Sequence, residues 1–369
     1  MNILYAIQGT GNGHLSRARD IIPLLQKHHK VDLLISGTQS DVQLPFHVKY
    51  KFHGLSFIFG KNGGIDILET YSKNNLSVLF SEINSLPVNI YDLVINDFEP
   101  VSAWACYLKN IKCVSVSHQA AVLNKKSPQP KNVDIIGKAI LKKYAISDVQ
   151  YGFHFGAYND NIFTPVIRKQ VREQLVDNKG HYTVYLPAYD DKRIIKVLKE
   201  CKNIRWEVFS KHNKKVIEEK NITVQPINNE AFIISMAASE GVLCGAGFET
   251  PAEALFLKKK LMVIPMKGQY EQQCNAVALK KMGVPVLKSL KLKHIEKILL
   301  WIKEGTIVEV DYPDKTEAIV NKILLEHTFS PSIVPLKKKK KLKSSRVLGL
   351  EPFEEVSNLF CKRLQHNLV

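Results

Sequence analysis

Cysteines are few in this chain, and none has the spacing of a metal site or a disulfide framework. The six cysteines include no C-x-x-C pair, so neither a zinc site nor a disulfide scaffold is predicted. Long apolar runs are absent too, and a strand-like segment starts directly after Met1, which leaves no room for a signal peptide. We therefore expect a cytoplasmic protein, in which the sequons at Asn75 and Asn221 carry no glycan.

Two common phosphate-binding loops are also missing, although three glycines lie close together near the N-terminus. The segment GTGNGH, residues 9–14, follows an apolar run and precedes apolar residues at helical spacing, so it predicts a strand, a tight turn and a helix. A dinucleotide fingerprint needs a glycine where His14 stands, and a P-loop needs a lysine and a hydroxyl residue after Gly13. A hydride-transferring enzyme is therefore disfavoured. The helix start remains an anion site in principle, and Pro23 predicts a kink or an early end.

The charge balance is strongly basic, with 52 Lys and Arg against 35 Asp and Glu, a net charge of +17. The apolar content of 45% and the length of 369 residues fit a globular chain of two domains. Basic residues concentrate in 125–143 and 337–346, where they could attract nucleic acid, anionic lipid or a negatively charged substrate. No nucleic-acid-binding motif is present and aromatic residues do not interleave with these runs, so no nucleic-acid partner is expected.

Apolar runs alternate with helical patterns, which predicts an α/β fold with mostly parallel sheets. Near residue 164 a basic, polar helix pattern is followed by a new strand, and we place the domain boundary there. Residues 1–163 form one domain and residues 164–330 a second, while residues 331–369 form a basic tail with a final helix predicted at 352–365. The predicted strands include 3–7, 31–35, 92–96, 113–117, 182–186, 206–209, 241–244 and 261–264.

A second loop–helix signature lies at residues 243–276. A strand ends at Cys244, and two glycines then make a turn. Thr250, Pro251 and Glu253 predict an N-cap, a first-turn proline and a capping-box acid. The next strand is followed by a loop rich in amides, which suit sugar hydroxyls because each offers donors and an acceptor. These amides are Gln269, Gln272, Gln273 and Asn275.

Polar side chains follow two predicted strands of the first domain, at the sheet edge where α/β proteins bind ligands. Asp97 and Glu99 follow one strand, and either could orient His14 or the acceptor of a reaction. His118 and Gln119 follow the next strand. Lining of an acceptor site and ordinary loop packing explain this second pair equally well.

These motifs together resemble the GT-B glycosyltransferases. The likeness rests on GTGNGH, on VSHQA at residues 116–120, and on a distal G-x-x-x-x-x-E followed by P-x-x-x-x-x-x-QQ, Asn and Ala. It is strongest to the group that contains the peptidoglycan lipid-intermediate GlcNAc transferases and weaker to glucuronosyltransferase-type enzymes. The resemblance covers residues 1–330, and it implies two Rossmann-like domains that face each other across a cleft, with the acceptor in the first and a nucleotide-sugar in the second.

The resemblance also assigns roles by motif position. His14 would be the general base, and Asp97, singled out above by its place after a strand, is the second expected catalytic residue. The expected donor-side residues are Phe232 near the nucleobase, Gly245, Ala246 and Gly247 near the diphosphate, Glu253 at the ribose, and Gln272 and Gln273 at the transferred sugar. The expected acceptor-side residues are Gly11, Asn12, Gly13, Glu99, His118 and Gln119. One departure is LPAYDDK, residues 186–192, where the resembled enzymes carry a glycine-rich loop.

The implied activity is that of a hexosyltransferase that moves a sugar from a UDP-linked donor to an acceptor hydroxyl with inversion. No cofactor is expected, because the nucleotide-sugar is a co-substrate, and no metal is expected, because the sequence has no D-x-D motif. A GT-B-type nucleotide-sugar epimerase, a basic nucleic-acid-binding protein and a catalytically silent binding module are the alternatives.

The resembled enzymes face a lipid-linked acceptor, and the sequence offers a surface for one. Residues 132–145 predict a helix with apolar side chains flanked by lysines, which could rest on the anionic inner face of the cell membrane. We expect peripheral membrane binding and a lipid-linked or cell-envelope acceptor. A core-packed helix with a solvated lysine face is the competing interpretation.

Overall fold

The computed structural model of the protein describes residues 1–37, 44–55 and 76–328. The first sheet has seven strands, all paired in parallel, and β1 and β4 lie near its centre in the order β3-β2-β1-β4-β5-β6-β7. Its strands are β1 (Asn2–Gln8), β2 (Lys30–Ser36), β3 (Tyr50–Phe52), β4 (Leu93–Asp97), β5 (Cys113–Ser117), β6 (Val149–Phe153) and β7 (Ile162–Phe163).

The second sheet has six strands in the order β10-β11-β9-β8-β12-β13. Its neighbours pair in parallel except for β10 and β11, which form an antiparallel edge. Its strands are β8 (His181–Tyr185), β9 (Arg205–Ser210), β10 (Ile217–Glu219), β11 (Ile222–Pro226), β12 (Gly241–Gly245) and β13 (Lys260–Ile264). The predicted α/β class with mostly parallel sheets is confirmed.

Helices connect most of these strands, as parallel pairing requires. In chain order they are α1 (Asn12–Gln26), α2 (Leu76–Ser85), α3 (Pro100–Lys109), α4 (His118–Leu123), α5 (Ile135–Tyr144), α6 (Lys169–Arg172), α7 (Asp191–Leu198), α8 (Asn229–Ala238), α9 (Glu249–Phe256), α10 (Tyr270–Lys281), α11 (Ile295–Glu304) and α12 (Thr316–Thr328). Short 3-10 helices lie at Val88–Ile90 and Leu292–His294.

Helix α1 forms because one of its faces is apolar and can be buried. Its buried side chains include Leu15, Ala18 and Leu25, which recur at helical spacing against the first sheet. The helix runs past Pro23 to Gln26, so an early end at this proline is wrong. Pro23 is exposed and close to the C-terminal end of the helix. Only a short stretch of helix therefore follows the missing hydrogen bond.

Within residues 1–37, 44–55 and 76–328, the chain crosses between the two halves twice. The first crossing lies between β7 and β8 and contains α6. In the second, α12 returns to pack against α1, with Lys27 paired to Glu317 at 2.8 Å and Lys322 donating to the Asp160 carbonyl at 2.8 Å. The proposed second domain, residues 164–330, thus includes a helix that packs on the first half. The predicted tail helix at 352–365 lies outside the described residues.

Helix α5 differs in detail from the sequence prediction of one apolar side. Ile140 and Tyr144 are buried, whereas Ile135 at the start of the helix is 78% exposed. Val133, just before the helix, is 38% exposed. Across the described part of the chain, no helix has the length and apolar character needed to cross a membrane.

Candidate active site

The turn between β1 and α1 depends on two of its glycines. A Cβ on Gly9 would lie 2.8 Å from the Ile35 side chain and 2.9 Å from the Ser36 carbonyl oxygen, so a larger residue there would force β2 to shift. Gly11 has a φ of 87°, which side-chain-bearing residues rarely adopt, and it precedes the first residue of α1. These glycines allow the helix to start close to the sheet edge and place His14 in its first turn.

Asp97 at the end of β4 lies opposite His14. His14 Nδ1 is 2.8 Å from Asp97 Oδ1, and the two rings of His14 and Phe98 stack with centroids 6.3 Å apart. Phe98 itself has a φ of 58°, a left-handed conformation that turns the chain sharply after β4. The predicted catalytic pair is therefore in hydrogen-bond contact, although 83 residues separate its members.

Arg17, one turn after His14, binds the same Asp97 carboxylate. Its Nη2 donates to both oxygens of Asp97 at 2.7 Å, and Asp97 and Arg17 are both buried. Burial alone would raise the pKa of Asp97, but the charge of Arg17, with a further contribution from His14, outweighs it and holds that pKa below its usual value. Asp97 therefore remains a carboxylate, which can accept a hydrogen bond from His14 Nδ1.

Glu249 brings the second half of the chain into the same cluster. It is the first residue of α9, and it accepts a hydrogen bond from Arg17 Nη1. A Cβ on Gly13 would lie 2.9 Å from Glu249 Cγ, so the starts of α1 and α9 are in direct contact. Burial raises the pKa of Glu249 to about 7, against the opposing charge of Arg17. The two loop–helix signatures of the sequence thus meet at one place.

Gln119 and Glu271 lie on the other side of the His14 ring. Gln119 Nε2 is 3.4 Å from His14 Nε2 and donates to Glu271 Oε2 at 3.0 Å. An amide nitrogen can only donate, so this contact is a hydrogen bond in the tautomer whose proton is on Nδ1, which is also the tautomer that the Asp97 carboxylate favours. Burial raises the pKa of Glu271 above its usual value. Three side chains of this cluster are partly exposed to solvent: His14 by 13%, Glu249 by 15% and Glu271 by 14%.

His118 belongs to the contact between the halves. Its Nδ1 donates to the Phe153 carbonyl at 2.8 Å, and its Nε2 is 2.8 Å from Asn275 Oδ1. The ring stacks on Phe248, with centroids 4.0 Å apart. Burial lowers the pKa of His118 to about 3. His118 is 2% exposed, so it packs the interface and does not line an open acceptor site in this arrangement.

The expected diphosphate loop follows β12. No atom lies within 4 Å of the place a Cβ would take on Gly247, and Gly245 has only Gln272 Oε1 nearby, at 3.7 Å. Ala246 is fully buried, and its carbonyl accepts from Asn275 Nδ2 at 3.2 Å. The N-cap of α9 is Phe248, which offers no side-chain cap. The first N–H groups of α9 therefore have no side-chain acceptor at the N-cap, and Thr250 as N-cap is wrong.

The expected sugar and ribose residues are less accessible. Gln272 Oε1 accepts from the Met266 N–H at 2.9 Å, while Gln273 on the next position is partly exposed. Glu253 is 1% exposed, and Arg168 binds both of its oxygens, with Nη2 2.7 Å from Oε2. Glu253 therefore pairs with a guanidinium and does not close a capping box.

Two further predicted residues lie apart from the cluster around His14. Glu99 is fully buried and caps α3 by accepting from the N–H groups of Val101 and Ser102, at 2.7 and 2.6 Å. Phe232 is 6% exposed, and its ring packs against those of Tyr185 and Phe209. Both residues have clear packing or capping partners. Gly11, Asn12 and Gly13, in contrast, lie in the turn and first helical residues that lead to His14.

Four residues of these contacts were not predicted from the sequence: Arg17, Arg168, Glu249 and Glu271. A signal for Arg17 existed, since it lies three residues after His14 and thus on the same helix face. Glu271 immediately precedes Gln272 and Gln273, two of the amides predicted to suit sugar hydroxyls. Their partners, however, lie in the other half or across the linker.

Comparison with known proteins gives the family. The sequence model of Glycosyl transferase family 1 matches residues 1–302. The chain belongs to this family. It is accordingly a glycosyltransferase. The comparison with curated protein sequences found no match.

Solved structures with similar folds include MurG of Acinetobacter baumannii, at 13% identity and a TM-score of 0.50 over 87% of this chain and 94% of that one. UGT89C1 of Arabidopsis thaliana, solved with UDP-L-rhamnose, is 12% identical with a TM-score of 0.51 over 97% and 99%. A UDP-N-acetylglucosamine 2-epimerase is 13% identical with a TM-score of 0.51 over 91% and 99%. At these identities the likeness is one of fold, and it confirms the predicted GT-B architecture of two Rossmann-like domains.

Proposed function

We propose that this glycosyltransferase moves a sugar from a UDP-linked donor to an acceptor hydroxyl by a single, inverting displacement. The observation that carries the proposal is the His14–Asp97 contact at 2.8 Å, which favours the tautomer with its lone pair on His14 Nε2, the ring atom that faces Gln119. A base at this position takes the proton of an acceptor hydroxyl as it attacks the anomeric carbon. Asp97 holds the ring in one tautomer and stabilises the imidazolium that forms.

The leaving nucleoside diphosphate gains negative charge, and the start of α9 suits it. This helix has no side-chain N-cap, and the space beside Gly247 is open. Free N–H groups and the positive end of the helix dipole stabilise a phosphate without moving. No step here uses a metal or a cofactor. Gly245, Ala246 and Gly247 contact the diphosphate in this proposal, and Gln272 and Gln273 contact the sugar.

Donor entry requires the two halves to separate. Glu253, the proposed ribose ligand, is 1% exposed and bound by Arg168, and Gly13 touches Glu249. The Glu253 carboxylate has lone pairs beyond the two that Arg168 uses, so it can accept from ribose hydroxyls once the cleft opens. Phe232 contacts the nucleobase of the donor only if its packing with Tyr185 loosens.

A thermal-shift screen of nucleotides and nucleotide-sugars tests the donor. A ligand that binds the folded state alone raises the melting temperature with the logarithm of its concentration over Kd. We expect UDP and UDP-sugars to raise it more than the dTDP, GDP or CMP counterparts. A preference for another base would contradict the UDP assignment, and no shift with any nucleotide would contradict donor binding. NMR of the product anomer then tests inversion.

One observation favours a second candidate, a nucleotide-sugar epimerase. Asp97, Glu249 and Glu271 place three carboxylates around His14, and burial raises the pKa of Glu249 to about 7, where it can both give and take a proton. An epimerase would convert a UDP-sugar in the absence of acceptor and incorporate solvent deuterium at the inverted carbon. A transferase would release UDP only when an acceptor, or water in its place, is consumed.

For the acceptor we propose a lipid-linked or cell-envelope glycan, met at an anionic membrane surface. Ile135 is 78% exposed and Val133 is 38% exposed, with Lys131, Lys138 and Lys142 close in sequence. An exposed apolar side chain among lysines is typical of a surface that binds anionic lipid. We expect co-sedimentation with anionic vesicles that salt weakens and that Ile135→Asp reduces. Equal binding to neutral vesicles, or none to either, would contradict this.

A further inference from the structure

Arg17 makes an unusual contact with Asp97. A guanidinium that faces one carboxylate ordinarily uses two nitrogens, one for each oxygen. Here the single Nη2 reaches both oxygens of Asp97 at 2.7 Å, while Nη1 donates to Glu249. Glu249 therefore keeps Nη1 away from Asp97 and fixes the rotation of the guanidinium. The Arg17 side chain is 1% exposed and also lies over the Phe153 ring, 5.4 Å from its centroid.

This arrangement leaves room for His14. Asp97 Oδ1 accepts from Arg17 Nη2 and from His14 Nδ1, and these two nitrogens are 3.3 Å apart. A guanidinium released from Glu249 would rotate to form the two-nitrogen fork and bring a second donor to Asp97. It would then compete with His14 Nδ1 for Oδ1. The contact with Glu249 thus protects the hydrogen bond that holds the imidazole tautomer.

We infer that Arg17 and Glu249 are positioning residues for His14, and that the carboxylate of Glu249 completes the base only when the donor-side helix α9 is docked on α1. The inference rests on the proposed role of His14 as the base. It links proton abstraction to the approach of the two halves, because Arg17 is on α1 and Glu249 is on α9. With the halves apart, Arg17 is released from Glu249 and His14 loses its fixed tautomer. Proton abstraction is therefore limited to the arrangement in which α9 is docked on α1.

The test uses the full-length protein and does not need a substrate. Ring-¹⁵N-labelled histidine NMR distinguishes protonated from unprotonated ring nitrogens, and a His14→Gln variant assigns the His14 signals among those of 12 histidines. At about pH 8.5 an ordinary imidazole is neutral. In the wild-type protein we expect a protonated Nδ1 and an unprotonated Nε2 for His14. In Glu249→Ala we expect the Nδ1 resonance to shift toward that of an unprotonated nitrogen as the second tautomer appears.

Two further variants separate positioning from general disturbance. Glu249→Gln keeps an oxygen that accepts from Arg17 Nη1, so it is expected to restore the wild-type pattern. Glu317→Ala removes another carboxylate, which pairs on the surface with Lys27 at the C-cap of α1, so it is the matched control. Glu249→Ala leaves Arg17 paired with Asp97, so no buried charge loses all of its partners and the variant is expected to fold.

The outcomes are distinct from those of the proposed function. Unchanged His14 signals in Glu249→Ala would overturn the inference, as would equal shifts in Glu249→Gln or in Glu317→Ala. Calorimetry with UDP on the wild type and Glu249→Ala measures separately whether this carboxylate contacts the donor, because loss of the contact to Arg17 alone leaves the donor's own contacts in place. A tenfold loss with unchanged His14 signals would make Glu249 a donor ligand instead. Absence of UDP binding by the wild type would contradict the donor proposal and leave the NMR result valid.

Discussion

We expect the His154→Asn variant to lose less stability on acidification than the wild-type protein. His154 directly follows β6, is fully buried, and packs edge to face against His118, with ring centroids 5.2 Å apart. Its Nδ1 accepts from the Phe155 N–H at 2.8 Å, and no described residue bonds its Nε2. Burial, with a smaller effect of His118, lowers the pKa of His154 to about 2. The folded protein therefore keeps this ring neutral where an unfolded chain would protonate it.

The sign and size follow from linkage. The folded-state pKa lies below the unfolded value of about 6.5, so the unfolded chain binds more protons and stability falls as the pH drops below about 6.5. At about pH 5 the loss is about 1.36 × 1.5, or roughly 2 kcal/mol, for His154 alone. Glu249 acts in the opposite direction, because its pKa of about 7 lets the folded protein bind a proton first. That contribution is present in both proteins and cancels in the comparison.

Urea unfolding at about pH 7.5 and pH 5 measures the effect. The stability lost between these pH values is expected to be smaller by about 2 kcal/mol in His154→Asn, whose amide does not titrate. His28→Asn, at an exposed position, is the matched control and is expected to behave as the wild type. Equal losses in the wild type and His154→Asn, or a larger loss in the variant, would refute the reasoning.

Three other predictions concern the site. His14→Ala is expected to lower turnover by about 10²- to 10⁴-fold with donor affinity nearly intact, as measured by UDP release and calorimetry; normal turnover would remove His14 from the chemistry. Glu253→Ala leaves Arg168 buried without its carboxylate, so thermal or urea unfolding is expected to show a loss of about 3 to 5 kcal/mol, and a neutral result would contradict the buried pair. Gly9→Ala is expected to destabilise by about 1 to 3 kcal/mol because of its 2.8 Å contact, while Gly247→Ala, in open space, changes stability little and weakens UDP binding; equal stabilities for the two glycine variants would contradict this packing.

The fold was readable from sequence where strands are buried on both faces. Strand β1 (Asn2–Gln8) contains the predicted strand 3–7, whose residues ILYAI are all apolar and buried, because a buried parallel strand is a continuous apolar run. Strands β6 (Val149–Phe153) and β11 (Ile222–Pro226) were not predicted. Their sequences, VQYGF and ITVQP, mix apolar and polar residues, and their burial is partial. Their place in the sheets comes from pairing with neighbours, which local sequence does not encode.

The candidate site could be predicted from the sequence only in part, because some of its contacts join residues that are far apart in the chain. His14 and Asp97 were predicted from glycine spacing and from strand ends, and the structure brings them together. Arg17 and Glu249 were missed, because a charged residue in a helix is usually solvated and their contact joins positions 232 residues apart. Glu99 shows the reverse case, since a carboxylate after a strand can equally cap the next helix.

The double crossing of the chain limits how the molecule can open. In the described part of the chain two connections join the halves, one between β7 and β8 and one leading to α12, which is fastened to α1 and to Asp160. Two domains joined at two points rotate relative to each other mainly about the hinge axis that passes through both points. Translation and twisting are restrained, so the starts of α1 and α9 return to the same register at each closure. A one-hinge connection would have to recover that alignment by diffusion in every catalytic cycle.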